Sequence, residues 1–436
     1  MNPLLFTDPA FLFFFAPIVL TGYWIVPAGW RNGFLLAASV ALYGWGENRY
    51  VAALLVSILI NWLGGMAIVC CPRVGLGLGV GANLILLWSF KGLAGLSFYT
   101  FMGISYLVDL YRRDLERPSS LGRVALFLAM FPHLIAGPIV RMTEIGGQFG
   151  RRVWTVEAMV AGIRRFVIGL GKKVLIANML AAVSDAVFAL PVGRIPTGYA
   201  WLGLICYTLQ IYFDFSGYSD MAIGLARMLG FRFPENFNYP YVSQSVTEFW
   251  RRWHITLSNW LRDYLFFPLG VRGGALLLVR NLFIVFVLCG LWHGVAWTFI
   301  AWGLWHGLLL SLEQLGLEAY LRKGPAIVRS AYTLGAVAAG WILFRAVSLT
   351  HAAGFAKALF GFGGTLPVEW VAVESPAIFV AVVAGVVGCV PLRPVFAGLP
   401  SRVAGVAEFA VLSAVFAAAL AGVAGSTYKP FIYFRF

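Results

Sequence analysis

Apolar runs recur from one end of the chain to the other, and none shows the strict alternation of a half-buried strand. About 20 apolar residues cross the roughly 30 Å of hydrocarbon in a bilayer. Within lipid, backbone polar groups must be satisfied inside a helix or a closed barrel. Without alternation, helices are the solution. The pattern predicts crossing or deeply buried helices near 10–27, 32–45, 50–70, 74–90, 96–110, 121–136, 160–190, 198–229, 246–267, 275–311, 326–349, 375–390 and 404–424. Some of these are long enough to be hairpins or re-entrant pieces, so roughly ten to twelve crossings are expected.

Composition strengthens this picture. Of 436 residues, 61% are hydrophobic and 11% charged, too little charge for a soluble core with a hydrated surface. The first 30 residues contain no Lys or Arg, so the opening apolar run lacks the basic stretch of a cleaved signal and reads as a retained crossing. With Asp8 before it and Arg31 after it, the amino terminus is expected outside. No polar linker separates a soluble domain, and residues 1–436 read as one membrane-embedded domain.

The net charge of +14 is uneven. Residues 112–280 hold 19 of the 32 Lys and Arg against 10 Asp and Glu, which assigns the loops there to the cytoplasm. The pairs Arg151-Arg152, Arg164-Arg165 and Arg251-Arg252 sit among membrane-depth apolar residues. That setting suits anionic lipid or an anionic donor such as coenzyme A, not nucleic acid. Stretches of mixed polarity at 112–124, 141–157 and 231–248 are rich in Pro, Gly and aromatic residues and read as re-entrant or interfacial. Gly77, Gly79 and Ala82 have dinucleotide-fingerprint spacing, but without a preceding strand or a following acidic partner they read as small residues that let helices approach. The cysteines Cys70, Cys71, Cys206, Cys289 and Cys389 lie in or beside apolar helices and form no metal-spaced set.

From Asn281 to Leu312 the chain carries no formal charge, and the ionisable groups there with an ordinary pKa near neutrality are His293 and His306. A histidine at membrane depth is costly and usually faces a protein-lined or water-filled cavity. Gly290 and Gly294 would let another helix approach His293, and Trp292 and Trp297 would wall the cavity. A backbone-bonded histidine at a helix interface remains open. Ser245 and Glu248 form a capping-box pattern, which predicts a helix from about 246 to the stop at Pro268. On that helix His254 and Ser258 share a face, Arg251 lies beside it, and Glu248 pairs with Arg252. An interfacial amphipathic helix explains the same residues equally well.

Buried Asp214, on a face with Gln210, needs a partner, expected to be an Arg or His from the 246–267 helix. Pro132, Gly137 and Pro138 break an apolar run, and His133 there either lines a cavity or caps the broken backbone. The absence of GxSxG, Walker and HExxH patterns removes serine hydrolase, nucleotide hydrolase and zinc protease readings.

FPHLIAGPIVR, FDFSGYSDMAIGLARMLGFRFPENFNYPY, SVTEFWRRWHITLSNWLRDYLFFPLG and LWHG, with LSFYTFMGISYLVDLYR before them and FIYFRF at the end, resemble signatures of membrane-bound O-acyltransferases. The subgroup is similar to the bacterial alginate O-acetylase-like proteins. The likeness has its core at about 96–312, with an aromatic tail at 425–436. It implies an all-α polytopic membrane fold, a ring of roughly ten to twelve tilted helices around a central funnel with re-entrant segments. It places the principal catalytic histidine on His293 and the second signature histidine on His254.

Acyl transfer needs a base, a path for a thioester and donors for the oxyanion. On this reading His293 activates the acceptor hydroxyl, while His254, with Asn259 or Arg251, positions or polarises the acyl group. Ser258, Asp214 and His133 are the further cavity-lining candidates. Tyr433 is a candidate transient acyl acceptor, with an interfacial aromatic anchor as the equal alternative. No cofactor or metal is expected to be resident; acetyl-coenzyme A is the expected co-substrate. The expected setting is the bacterial cytoplasmic membrane, among lipids, an extracytoplasmic partner transferase and polysaccharide synthesis machinery, with no nucleic acid. A transporter or flippase for acylated sugars and a non-catalytic scaffold are the rivals. A transporter would also carry buried His, Asp and Arg, but the chain lacks the two matching halves common in transporters; a scaffold would leave the two histidines unexplained.

Overall fold

The computed structural model describes residues 5–47, 51–90, 93, 95–150, 152–270, 273–365, 375–391 and 401–425. Among these residues the chain is helical, with no strand. The helices that carry the argument are α1 (Phe11–Ile25), α2 (Arg31–Glu47), α3 (Val51–Cys70), α4 (Pro72–Ser89), α5 (Leu96–Arg112), α6 (Leu121–Ala129), α7 (Val156–Phe188) and α8 (Thr197–Met228). They are followed by α9 (Val246–Arg252), α10 (Ile255–Leu261), α11 (Gly274–His293), α12 (Trp297–Leu312), α13 (Ala326–Arg345), α14 (Leu349–Leu359), α15 (Pro376–Gly388) and α16 (Ser401–Gly425). Within the described residues, α3, α7, α11, α13 and most of α16 are long and apolar enough to cross a membrane, and α1 and α15 are shorter apolar helices. The chain is a multi-pass membrane protein.

The chain folds as two compact units, with α7, α8 and α16 each contributing to both. The first comprises the described residues within 1–170, 217–235 and 414–425. Here the small residues of α4 do what close helix packing requires: Gly79 lies against Leu107 of α5 and Gly64 of α3. Beside them the amides of Asn61 and Asn83 bond each other reciprocally at 3.1 and 3.0 Å, so two buried polar groups satisfy one another. Gly77, by contrast, faces open space.

After α6 the chain breaks where Pro132 predicts. The amide of Phe131 turns to the hydroxyl of Ser39 (3.0 Å), which releases the carbonyl of Phe127 from its helical partner. His133 Nε2–H donates to that carbonyl at 2.8 Å, so His133 caps broken backbone. One arginine of each pair in this unit, Arg165 and Arg152, also has internal work. Arg165 bridges Asp220 (2.6 Å) and Glu235 (2.5 Å). Arg152 is buried against the Tyr23 hydroxyl, the Gln148 carbonyl and Asn32. A donor-binding role expected for these arginines therefore competes with contacts that hold the unit together.

The second unit comprises the described residues within 171–216 and 236–413. The apolar run 275–311 is a hairpin of α11 and α12. At Gly290 a Cβ would run into the carbonyl oxygen of Phe299, and at Gly294 into its ring, so both glycines are needed for the two helices to meet. His293 is the last residue of α11, at the hairpin turn.

Asp214 is paired within this unit, but not as expected. Its partner is Lys173 at 2.6 Å, delivered by a π-helical turn at Lys172–Ala177, rather than an Arg or His from the 246–267 segment. Both are buried, and the pair ties α7 to α8.

Candidate functional site

The segment expected as one helix over 246–267 is two. Ser245 caps α9 by accepting the amide of Glu248 at 2.9 Å, and Glu248 bonds Arg252 at 2.9 Å, as its sequence implied. The capping is completed from outside. The carboxylate of Glu313, just beyond α12, accepts the amides of Val246 (2.7 Å) and Thr247 (2.8 Å) and the Thr247 hydroxyl (2.7 Å). Trp253 is then extended (φ −97°, ψ 129°) and His254 is left-handed (φ 41°, ψ 54°) before α10 begins. A left-handed non-glycine residue carries strain of about 1–3 kcal/mol and persists only where its surroundings hold it.

Those surroundings are residues 236–238. The Asn236 carbonyl accepts the Ile255 amide at 2.9 Å, and the Asn238 amide donates to the Arg252 carbonyl at 3.0 Å, so the groups freed by the break are paired. The Asn236 side chain, fully buried, does the rest. Its Oδ1 accepts the Thr256 amide (3.3 Å) and the Thr256 hydroxyl (2.9 Å) and lies 3.0 Å from His254 Nδ1. An amide N–H only donates, so the atom facing it is the oxygen of Asn236. His254 Nδ1 must therefore carry a proton, and in the neutral ring Nε2 bears the lone pair.

Ring packing fixes the imidazole further. Phe215 of α8 meets it edge-on at 4.6 Å between centroids, and Phe237 stacks behind at 6.4 Å.

His254 lines a small cavity that His293 also lines. Five segments build it: Ile211 and Phe215 from α8; Trp250, Trp253 and Leu257 around the α9–α10 break; Cys289 beside His293 on α11; Trp302 from α12; and Trp341 and Phe344 from α13. His293 sits edge-on to Phe344 (4.8 Å) and Trp302 (5.3 Å).

The walls are pinned by their own polar tips. Trp341 Nε1 donates to the Tyr241 hydroxyl at 3.2 Å, and that hydroxyl donates to the Thr208 carbonyl at 2.7 Å. Trp250 Nε1 donates to buried His306 Nδ1 at 3.3 Å, with Trp302 packed edge-on to both. Two imidazoles thus line an apolar cavity walled by rigid rings, a setting that favours proton transfer to a neutral base.

Of the residues singled out in the sequence, His293 and His254 are brought together. Arg251 is exposed and outside the lining. The Ser258 hydroxyl bonds the Trp253 carbonyl at 3.3 Å, and neither it nor Asn259 lines the cavity, because the break at His254 rotates α10 away from the face an unbroken helix would share. Asp214 and His133 are outside the lining as well. Trp292 and Trp297 do not wall the cavity, and Trp297 is 72% exposed. Tyr433 lies outside the described residues.

Two residues escaped the sequence reading. Asn236 stood inside a quoted signature, and its two-residue distance from Asn238 beside a Pro-rich turn marks a polar knot. Glu313 is the first charge after the long uncharged run.

Comparison with known proteins places the chain in a family. A family model described as MBOAT, membrane-bound O-acyltransferase family, matches residues 90–344, more than half of the chain and including both histidines. The chain is 42% identical over 395 residues to the probable alginate O-acetylase AlgI of Pseudomonas putida, covering 83% of this chain and 81% of that protein. It is 34% identical over 425 residues to the peptidoglycan O-acetyltransferase of Helicobacter pylori, covering 83% and 80%. Similarity also extends to the teichoic acid D-alanyltransferase of Bacillus subtilis, 30% identical over 218 residues, covering 46% and 54%.

Proposed function

The chain belongs to the membrane-bound O-acyltransferase family and is an O-acyltransferase; from that premise we propose that it moves an acetyl group from cytoplasmic acetyl-coenzyme A toward hydroxyls of an extracytoplasmic polysaccharide or peptidoglycan. The observation that carries this reading is the meeting of His254 and His293, 39 positions apart in the chain, in one aromatic cavity. A neutral imidazole there, His293 first, takes the proton of the attacking hydroxyl. The names of the relatives, an alginate O-acetylase and a peptidoglycan O-acetyltransferase, support acetyl as the group and a cell-envelope polymer as its destination.

The setting we propose is the bacterial cytoplasmic membrane, with the family's ring of ten to twelve helices and a funnel to the cavity from each side. A partner transferase outside the membrane completes delivery, with Tyr433 as the candidate relay. The test is polymer O-acetylation in cells carrying His293→Ala or His254→Ala at normal membrane abundance. Loss in both variants is expected, and full acetylation with either would remove that histidine from the reaction. For the relay, mass spectrometry after labelling with acetyl donor should find acetyl on Tyr433, and Tyr433→Phe with full transfer would end that part of the proposal.

A further inference from the structure

The cavity needs a donor for the acyl carbonyl, and its second histidine is not built to be one. With Nδ1–H committed to Asn236, neutral His254 has only a lone pair left to offer at Nε2. The residues expected from the sequence to polarise the acyl group, Arg251 and Asn259, lie outside the lining. Trp250 and Trp341 have committed their indole N–H groups to His306 and Tyr241.

Trp302 has not. Its side chain is 1% exposed, its Nε1 has no hydrogen-bond partner among the described residues, and it lines the cavity edge-on to His293. A buried N–H is almost always paired, and one left unpaired calls for an explanation such as an absent ligand. Trp302 is otherwise a well-held residue. Rings of Trp250 (5.8 Å), His306 (5.1 Å) and Phe344 (5.2 Å) surround it, so its orientation is fixed before any substrate enters. Preorganised donors of this kind, in a dry site, are where oxyanion stabilisation is strongest.

We propose that the indole N–H of Trp302 is the oxyanion donor of acyl transfer, holding the carbonyl oxygen of the thioester and of the tetrahedral intermediate. The hydroxyl oxygen attacks the thioester carbon while its proton passes to an imidazole of the cavity, and the carbonyl π pair moves onto the oxygen facing Trp302. As the C=O bond reforms, the C–S bond breaks and the departing thiolate takes the proton back. Ester and free thiol are the products, and nothing else is consumed. A donor that bonds an oxyanion better than a carbonyl contributes to turnover more than to binding.

The proposal rests on the histidine cavity being the reaction site, and the experiment separates the two. Trp302 is replaced in the full chain by 3-benzothienylalanine, which keeps the bicyclic shape and loses the N–H, and by Phe as the genetically encoded counterpart. Initial rates are measured in membranes with radiolabelled acetyl-coenzyme A, alongside His293→Ala and His254→Ala. The expected result for the isosteric variant is a fall in kcat of about 100-fold with KM for the donor changed less than about threefold. Unchanged kcat in the isosteric variant, with both histidine variants inactive, overturns the Trp302 assignment alone. Activity in both histidine variants overturns the site. Should Trp302→Phe fail to accumulate in the membrane, the isosteric variant decides.

Discussion

His254 Nδ1 and Asn236 Oδ1 lie 3.0 Å apart, and the same oxygen accepts both the amide and the hydroxyl of Thr256. One buried side chain thereby pairs the backbone of a helix break, supports a left-handed residue and fixes the tautomer of the imidazole. Asn236→Leu removes the acceptor while keeping the volume near. The expected outcome is a loss of about 100-fold in transfer rate, the scale of a misplaced catalytic group. Asn236→Asp retains acceptor oxygens and should keep a larger share of activity than Leu. Initial rates per unit of membrane-inserted protein check both, and equal rates for the Leu variant and wild type would show the bond to be dispensable.

The two histidines act in one event, so their losses should not add. His293→Ala and His254→Ala are each expected to lower transfer by about 10²- to 10⁴-fold, the range of general acid–base catalysis. The double variant should be no more than a few-fold below the weaker single. The comparison is a double-mutant cycle on radiolabel transfer. A double variant that falls by the product of the single losses would mean that the two rings serve separate steps.

Much of this site was legible from residue types, and what was missed has a common physical cause. His293 and Gly290 stood out because a titratable ring and small residues are conspicuous in an uncharged run, and Gly290 does let α12 approach α11, whereas the walls expected of Trp292 and Trp297 come from other rings. Arg251 and Ser258 were placed by helical periodicity, which assumes an unbroken helix, and Asn259 by its nearness to His254 in sequence. The break depends on Asn236, 18 residues from His254, whose bonds no local pattern encodes. The same limit explains Asp214: burial signalled that a counter-charge was needed, but a π-helical turn in α7, invisible to a 3.6-residue period, brought Lys173 to it. His133, weighed between cavity and cap, turned on which amide left the helix, and that was decided by Ser39, 92 residues from Phe131.

Gly340 of α13 should be intolerant of substitution for a reason outside its own helix. A Cβ there would lie 2.7 Å from His306 Nε2, and His306 holds the indole of Trp250 in the cavity wall. Helix propensity alone would favour Gly340→Ala by about 1 kcal/mol. The expected outcome is the opposite in function: near-normal membrane abundance with transfer reduced at least about tenfold, because His306 and with it Trp250 must shift. Full activity in Gly340→Ala would mean that the wall repacks without consequence.

Lys173 and Asp214 make a buried pair in the unit that holds the cavity, and Asp214 directly precedes Phe215, whose ring meets His254. Removing one partner leaves an uncompensated charge, which costs about 3–5 kcal/mol, whereas replacing both by apolar residues of similar size is often neutral or better. Lys173→Met should therefore lower the melting temperature of the detergent-solubilised protein by several degrees, and the combination with Asp214→Leu should restore most of it. If the pair serves only to hold α7 against α8, the double variant also recovers transfer activity along with stability. A double variant that melts normally but stays inactive would give the pair a part in the reaction, through the placement of Phe215 against His254. A single Lys173→Met variant as stable as wild type would show that Asp214 is neutralised by other means.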